Sequence, residues 1–414
     1  MNTPTLHAPK LAYLVSAYPA VSHTFILREV QRLRALGQAI VTASINRPDR
    51  ALEAMDPLER QEAQATYGVK ADGVRGALAA LGSRALRAPV RLLGTLARGW
   101  RLGGPGRRIT GLAWAVEAAM VARWMRREGT SHLHVHFGNA AAAVGVLVKQ
   151  LDGCHLSFTI HGPDEFDDVR AQQLATKVGE ADAVVCISQF VRGQLMRLSD
   201  PVHWPKLQLC RLGVDPQAFP FRRREPHDGT PLQMLCVGRL TPAKGQVLLV
   251  QACAKLRDAG VPFQLTLVGA GPDRARVEAA VAAAGLAAQV TLTGALNQAE
   301  VRERFARADL FVLPSLAEGI PVVLMEAMAS GVPCVTTPVN GIPELVEDGR
   351  TGLLARPGDV DDLARALSRL AGDAALRGAL VTAAREKVRA DFDLARNVAA
   401  LAGVFARFPQ PGAR

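Results

Sequence analysis

The sequence predicts an α/β chain built as two consecutive doubly wound domains, each around a parallel sheet. Short β-branched runs alternate with longer Ala/Leu/Arg stretches of helical period. That series of runs occurs twice. Between the two series lies PQAFPFRRREPHDGTP, Pro216 to Pro231, rich in Pro and charge and without an apolar period. A length of 414 residues suits two domains of roughly 100 to 200 residues each.

In the first series, strands are expected at Leu11 to Val15, Ile40 to Ile45, Leu133 to Phe137, Leu156 to Ile160, Ala183 to Ile187 and Leu207 to Arg211. The second series places them at Gln233 to Val237, Gln264 to Val268, Val290 to Thr293, Leu310 to Leu313, Pro333 to Thr336 and Gly352 to Ala355. Lys10 followed by LAYLVSAYPA has the outline of a secretory leader, but its apolar run breaks at Ser16 and leads into a helical pattern, as a buried first strand does. The longest run without Asp, Glu, Lys, Arg or His, Ala279 to Ala299, is interrupted by Gly285, Gln289, Thr291, Thr293 and Gly294, so no transmembrane span is expected. The expected domains are 1–220, with a basic helical insertion at about 50–128, then 221–393, then a terminal segment 394–414. Open parallel sheets bind ligands beyond the carboxyl ends of their strands, so two such domains facing each other would enclose a cleft.

Composition narrows the class. With 49% hydrophobic and 21% charged residues there is material for packed cores and no case for a disordered chain. The six cysteines are scattered without a CxxC pair, which argues for reduced thiols in a cytosolic protein and against a zinc ribbon or disulfide scaffold. Between Lys70 and Glu128, twelve Lys/Arg face only Asp72, Glu117 and Glu128, a net +9 of the chain's +11. No nucleic-acid-binding signature accompanies this segment. An anionic membrane face or an anionic acceptor suits it.

The motifs lie in loops that follow strands. Gly238-Arg239-Leu240-Thr241-Pro242-Ala243-Lys244-Gly245 is neither a Walker loop nor GxGxxG. Its two cations, five residues apart, suit a diphosphate as well as they suit a solvated turn. Gly269 and Gly271 in Val268-Gly-Ala-Gly-Pro272 permit close approach of a backbone or ligand. Glu318-Gly319-Ile320-Pro321-Val322 predicts a helix beginning just after Glu318 and running to Gly331. On such a helix Glu326 would stand about 12 Å along the axis from Glu318 and about 80° around it. The N–H groups at Gly319 to Val322 would then face anionic or hydroxyl oxygens. Glu326, flanked by Met325, Ala327 and Met328, is badly placed for a surface acid.

His132, His134 and His136 alternate on one strand and so share a face, but no carboxylate or cysteine of ligand spacing joins them, and no metal is expected. His161 ends a strand and opens HGPDEFDD, which would stand its ring at the cleft with Asp164 nearby. Asp359-Val360-Asp361 follows Pro-Gly and precedes a helix, as a capping cluster does, rather than a metal clamp.

Together these residues resemble glycosyltransferase family four, retaining enzymes of the GT-B fold, in which two Rossmann-like domains face each other. The resemblance covers nearly the whole chain and rests on GRLTPAKG at 238–245, VGAGP at 268–272, the Glu-x7-Glu of 318–326 and NGIPELVEDGRTGLL at 340–354. It implies that Arg239 and Lys244 hold the donor diphosphate, that Glu326 binds ribose hydroxyls and that Glu318 lies near the donor sugar. It further implies that Gly238, Gly269, Gly271, Gly319, Ile320, Pro321 and Val322 line the donor site and that His161 contacts the transferred sugar. A terminal helix, Leu394 to Phe408, would cross back onto the first domain. The opening SAYPAVSHTFILREVQRLRALG looks like that of exopolysaccharide glycosyltransferases of the colanic-acid type, with His23 in place of their Glu; Ser22, His23, His136 and Asp164 are the acceptor-side candidates.

The expected function is therefore transfer of a sugar, with retention as the resemblance implies, from a nucleotide-sugar to a lipid-linked or growing polysaccharide in bacterial exopolysaccharide or cell-surface glycan synthesis. The reaction would run without cofactor, metal or nucleic acid, in the cytoplasm, with a peripheral seat on the inner face of the plasma membrane as a further reading. Two alternatives stand beside it: a nucleotide-sugar epimerase of similar build and a non-catalytic nucleotide-sugar-binding assembly protein. The basic segment holds Trp100, Trp114 and Trp124 among Arg and Leu at helix-like spacing, as an interfacial helix requires, with Arg84, Arg87 and Arg91 as candidate contacts. An Arg-covered insertion packed on its own domain is the other reading of the same residues.

Overall fold

The computed structural model describes residues 10–221 and 231–408. The chain divides into two compact units, Met1–Cys210 with Val398–Arg414, and Arg211–Asn397.

The first unit holds strands β1 (Leu11–Ala17), β2 (Ile40–Asn46), β3 (Tyr67–Gly68), β4 (His132–His136), β5 (His155–Ile160), β6 (Ala183–Cys186) and β7 (Leu207–Leu209). Its helices are α1 (Thr24–Ala35), α2 (Pro57–Ala65), α3 (Gly73–Arg87), α4 (Pro89–Gly103), α5 (Arg108–Glu128), α6 (Ala140–Asp152), α7 (Leu174–Glu180) and α8 (Gln189–Leu198). All strand pairs are parallel, in the order β3-β2-β1-β4-β5-β6-β7.

The second unit repeats this plan. Strands β8 (Leu232–Val237), β9 (Phe263–Val268), β10 (Val290–Gly294), β11 (Leu310–Leu313), β12 (Cys334–Thr336) and β13 (Leu353–Leu354) run parallel in the order β10-β9-β8-β11-β12-β13. They are wrapped by α9 (Gln246–Asp258), α10 (Arg274–Ala283), α11 (Gln298–Arg307), α12 (Val322–Ser330), α13 (Val360–Gly372) and α14 (Ala374–Asp391). A last helix, α15 (Leu394–Phe405), joins the first unit from Val398 onward, where Phe405 lies 4.8 Å from the ring of His134 and edge-on to Tyr13.

The central strands are buried on both faces: β6 and β11 are continuous apolar runs, and β4, His-Leu-His-Val-His, is buried throughout with His132 and His134 hydrogen-bonded to Ser157 and Thr159. Helix α6 (AAAAVGVLVKQLD) is apolar nearly all round because it lies among α5, β1, β4 and β5, and its N-terminus is closed by the Asn139 side chain accepting from Ala141 N at 2.9 Å. Asp359 closes α13 in the same way, accepting from Asp362 N at 2.9 Å. Strand order reverses between β1 and β4 and again between β8 and β11, the two topological switch points at which such sheets bind ligands.

Two local expectations fail. The edge strand β3 is only two residues long, too short to show a period, and was not foreseen. Helix α12 begins at Val322, because Pro321 is still extended at φ −74° and ψ 117°. Residues 316–321 form a turn ahead of the helix, so the helical spacing computed from Glu318 to Glu326 does not hold. All six cysteines are free and buried, and no helix among the described residues is long and apolar enough to cross a membrane.

Candidate active site

In the second unit the site grows from the carboxyl ends of β8, β9 and β11. After β8 the chain turns through Pro242–Lys244 to Gly245, whose φ is +67°. A Cβ there would stand 2.2 Å from Pro314 O, so only glycine lets this turn lie against the end of β11. Leu316 N donates to Ala243 O at 2.7 Å across the same seam. This backbone contact sets Lys244 Nζ 2.5 Å from Glu318 Oε1, and Ser315 Oγ donates to the same oxygen at 2.7 Å. Thr337 Oγ1 in turn donates to Ser315 O at 2.5 Å. Glu318 is 5% exposed, so its charge is held out of water by one lysine and one hydroxyl.

The loops after β8 and β9 touch backbone to backbone. Gly238 N donates to Val268 O at 2.9 Å, Leu240 N to Ala270 O at 3.0 Å, and Cβ atoms at Gly269 or Gly271 would strike Gly238 O or Leu240 O. Arg239 is exposed beside this seam. Gly319 meets Gly341 through its carbonyl, next to Asn340 in the left-handed region at φ 50°. Ile320 and Pro321 are buried, Val322 opens α12, and Val322 and Val323 supply the unpaired N–H groups of a helix start. Glu326 is 6% exposed one turn into α12, and its carbonyl accepts from Ser330 Oγ at 2.8 Å. The structure thus brings Gly238, Arg239, Lys244, Gly269, Gly271, Glu318 and Gly319 to the ends of adjacent strands. Glu318 is not the N-terminal dipole partner of a helix but the anchor of Lys244. Ser315 and Thr337 were missed; Ser-x-x-Glu directly after a strand was the available signal for Ser315.

In the first unit, His23, His136 and His161 converge at the carboxyl ends of β1, β4 and β5. His136 Nδ1 lies 3.0 Å from His161 Nε2, with the rings stacked at 5.3 Å. Phe25 and Phe137 pack on His161 at 4.9 and 4.5 Å, and His23 on Phe137 at 4.8 Å. Phe137 holds φ 71°, a strained value for an aromatic residue, and backbone strain of this kind gathers at functional sites. Burial, then the neighbouring His136 and His23, holds His161 well below the usual histidine range, so its ring is neutral. His134 is depressed likewise by burial and three histidine neighbours, and burial takes His132 down to about 3.

Asp164, the acid expected beside His161, is exposed. Its neighbour Glu165 is the buried one. Its carboxylate accepts from His161 N at 2.7 Å, Gly162 N at 2.9 Å and Gly138 N, tying the loops after β4 and β5 together. Burial pushes Glu165 up to about 7 against the opposing pull of these three N–H groups. The side chain of Ser22 lies outside the described residues.

The expectation that no carboxylate joins the strand histidines is corrected: Glu29 of α1 places its carboxylate with His134 and His136, all within 4.8 Å. These groups are hydrogen-bonded with their neighbours: His134 to Ser157 Oγ at 2.7 Å and Thr159 Oγ1 at 2.9 Å, and Glu29 to Tyr13 OH at 2.9 Å.

Known proteins match this chain along most of its length. The profile of Glycosyltransferase Family 4 matches residues 22–218 and that of Glycosyl transferases group 1 matches 218–387. The amylovoran biosynthesis glycosyltransferase AmsK of Erwinia amylovora is 31% identical over 400 residues, 93% of this chain and 96% of that protein. The putative colanic acid biosynthesis glycosyltransferase WcaL of Salmonella typhimurium is 30% identical over 409 residues, again 93% of this chain and 96% of that protein. Among solved structures, Anabaena HepE in complex with UDP-glucose aligns with a TM-score of 0.74 at 18% identity, over 96% of this chain and 99% of that one. The sucrose-phosphate synthase of Thermosynechococcus elongatus aligns at 0.73 and 21% identity, over 96% and 98%. With the doubled Rossmann-type sheets and full-length relatives of this kind, the chain belongs to glycosyltransferase family four and is a glycosyltransferase of the GT-B fold.

Proposed function

We propose that this enzyme transfers a sugar from a nucleotide-sugar to a lipid-linked or growing polysaccharide, with retention, in the synthesis of a bacterial exopolysaccharide. The observation that carries the donor half is the Lys244–Glu318–Ser315 cluster at the β8/β11 switch point, beside exposed Arg239. Arg239 and Lys244 stabilise charge on the departing diphosphate, with the first N–H groups of α12 as further donors. Glu318 uses Oε1 to fix Lys244, so it acts on the diphosphate through that lysine, while its Oε2 is left for a donor-sugar hydroxyl. Glu326 takes the ribose hydroxyls. His161, neutral and braced by Glu165, exchanges hydrogen bonds with the transferred sugar. The cations come from the chain itself, so the reaction proceeds without a metal. AmsK and WcaL, named for amylovoran and colanic acid synthesis, support the exopolysaccharide assignment, and the UDP-glucose complex of HepE supports the donor class. Incubation with a panel of nucleotide-sugars, with and without a membrane extract, tests this: acceptor-dependent loss of one donor is expected. Donor turnover without acceptor would indicate an epimerase, and binding without turnover an assembly protein.

The acceptor half rests on the basic face. Residues 73–116 contain eight arginines and no Asp or Glu. Val74, Leu78, Leu86, Val90, Leu93, Trp100 and Ile109, on α3, α4 and the start of α5, are exposed, Leu86 and Val90 by 89% and 81%. Arg75, Arg87, Arg91 and Arg101 are exposed among them. Apolar side chains ringed by guanidinium groups fit an anionic leaflet. Arg84, an expected contact, is buried instead and bonded to Leu151 O and Asp152, so it serves the fold. Co-sedimentation with anionic vesicles at low salt should therefore drop for Arg87→Glu with Arg91→Glu at unchanged donor affinity. Equal binding to neutral and anionic vesicles would sink the membrane assignment.

A further inference from the structure

Where the end of α4 and the start of α5 meet the carboxyl ends of β1 and β4, the first unit holds a cavity of about 220 Å³. It lies at the β1/β4 switch point, between Ser16 of β1 and Asn139 after β4. Two cations face it. Arg107 is exposed, lies 5.9 Å over the Trp114 ring and has no carboxylate partner among the described residues. Lys177 is 4% exposed and donates to Gly138 O at 2.7 Å and Asn139 O at 2.9 Å, which leaves its third N–H unassigned. The nearby acid, Glu165, is already engaged by three backbone N–H groups. Burial brings Lys177 down to about 7; the Glu165 carboxylate opposes that shift and the Arg107 guanidinium adds a smaller push in the same direction, so an anion arriving at this site would restore charge to the lysine.

The neutral part of the wall fits a sugar ring. A pyranose has an apolar C–H face and a hydroxyl rim, and here the Trp114 ring stands with the amides of Asn139 and Gln172. The volume is below the roughly 300 Å³ at which pockets for drug-sized ligands begin, so it admits a single sugar phosphate rather than an oligosaccharide. Gln173 closes the wall in the left-handed region, φ 47° and ψ 43°, and its Nε2 donates to Leu102 O at 2.8 Å, fastening this loop to the end of α4. A non-glycine residue held there is backbone strain of the kind that gathers around ligand clamps.

We infer that this cavity receives the phosphate-bearing sugar of the lipid-linked acceptor, with the phosphate on Arg107 and Lys177 and the ring against Trp114. The inference rests on the acceptor assignment above and adds its seat: helices that offer arginine and leucine to a leaflet lead directly to a pocket for the polar end of a lipid lying in it.

Glucose 1-phosphate is the soluble probe, followed by tryptophan fluorescence. A saturable change is expected in the unmodified chain, abolished in Trp114→Phe. Arg107→Ala should weaken binding at least tenfold while leaving UDP affinity unchanged. Lys177→Met should weaken it further, but this lysine also holds the loop at 138–139, so the exposed Arg107 decides the matter. Glucose alone and inorganic phosphate alone should each bind at least tenfold more weakly. A glucosyl phosphate carrying a prenyl tail in anionic vesicles should bind more tightly than the soluble probe. No response to glucose 1-phosphate, an unchanged Arg107→Ala, equal binding of inorganic phosphate, or no gain from the tail would each overturn the inference. Absence of binding of every nucleotide-sugar in the panel by the unmodified chain would instead overturn the donor assignment, a separate failure.

Discussion

The two sheets place their candidate sites at the same address and fill them with opposite chemistry. At the β1/β4 switch point, His134, His136 and His161 are buried, the first and last held neutral, with Phe25 and Phe137 packed against His161. At the β8/β11 switch point a half-buried Lys244 is paired with the buried carboxylate of Glu318, and the second unit has no histidine among its described residues. Topology therefore fixes where each unit binds, while the residues at the strand ends fix what is bound. A neutral, hydrogen-bonding wall suits hydroxyl-rich ligands, and a cation braced by a carboxylate suits a diphosphate.

Acid should separate the two units most. His132 and His134 titrate below the unfolded histidine value of about 6.5. At these two sites the unfolded chain therefore binds more protons than the folded one below that pH, so their contribution to stability falls as pH drops from about 6.5 toward 3, while Glu165, raised to about 7, acts in the opposite sense. At pH 5 the loss is about 2 kcal/mol for His132, and His134 adds a loss of the same sign. Urea melts at pH 7 and pH 5, resolved by hydrogen exchange, should show the first unit opening first. Equal loss in both units would break the contrast.

Charge removal should act on the other unit. Lys244→Ala removes the partner of a buried carboxylate and a donor to the leaving diphosphate, and we expect turnover to fall about 10²- to 10³-fold, roughly 2.7 to 4 kcal/mol. Steady-state kinetics that show a raised KM at unchanged kcat would refute a role in the transition state. Glu326→Ala should act on binding rather than turnover, weakening nucleotide affinity by roughly 1.5 to 3 kcal/mol as charge-assisted bonds to ribose are lost. Calorimetry with unaltered affinity would remove that assignment. The smallest expected effect is that of EDTA, which should leave activity unchanged; loss restored by magnesium or manganese would mean that Lys244 and Arg239 do not suffice as counter-charges.

Twelve of the thirteen strands were legible because each is a short run rich in β-branched and apolar residues between helical stretches; Tyr67–Gly68 was not, having no period to read. The glycine loops after β8 and β9 were legible for the same local reason, that small residues crowd together in sequence. What could not be read was pairing at a distance. Lys244 and Glu318 are 74 residues apart, and Glu29 reaches His136 across more than a hundred residues, so neither pair leaves a spacing to recognise. The start of α12 was misplaced because Gly-Ile-Pro reads as a helix opening, whereas the extended Pro321 keeps Glu318 in the turn that faces Lys244. Glu165 was passed over for Asp164 because burial, which distinguishes adjacent acids, is not written in composition.

Gly245, Gly269 and Gly271 each place a missing Cβ within 2.2 Å of a carbonyl oxygen on a neighbouring loop. For anyone re-aiming this enzyme at another sugar, that divides the donor loops into fixed and free letters. Randomising the three glycines would yield mostly inactive clones whatever the donor, whereas Thr241 and Ala243 on the same turn are only half-buried. A library confined to those two positions, with Arg239 kept for the diphosphate, would sample specificity without dismantling the frame that presents it.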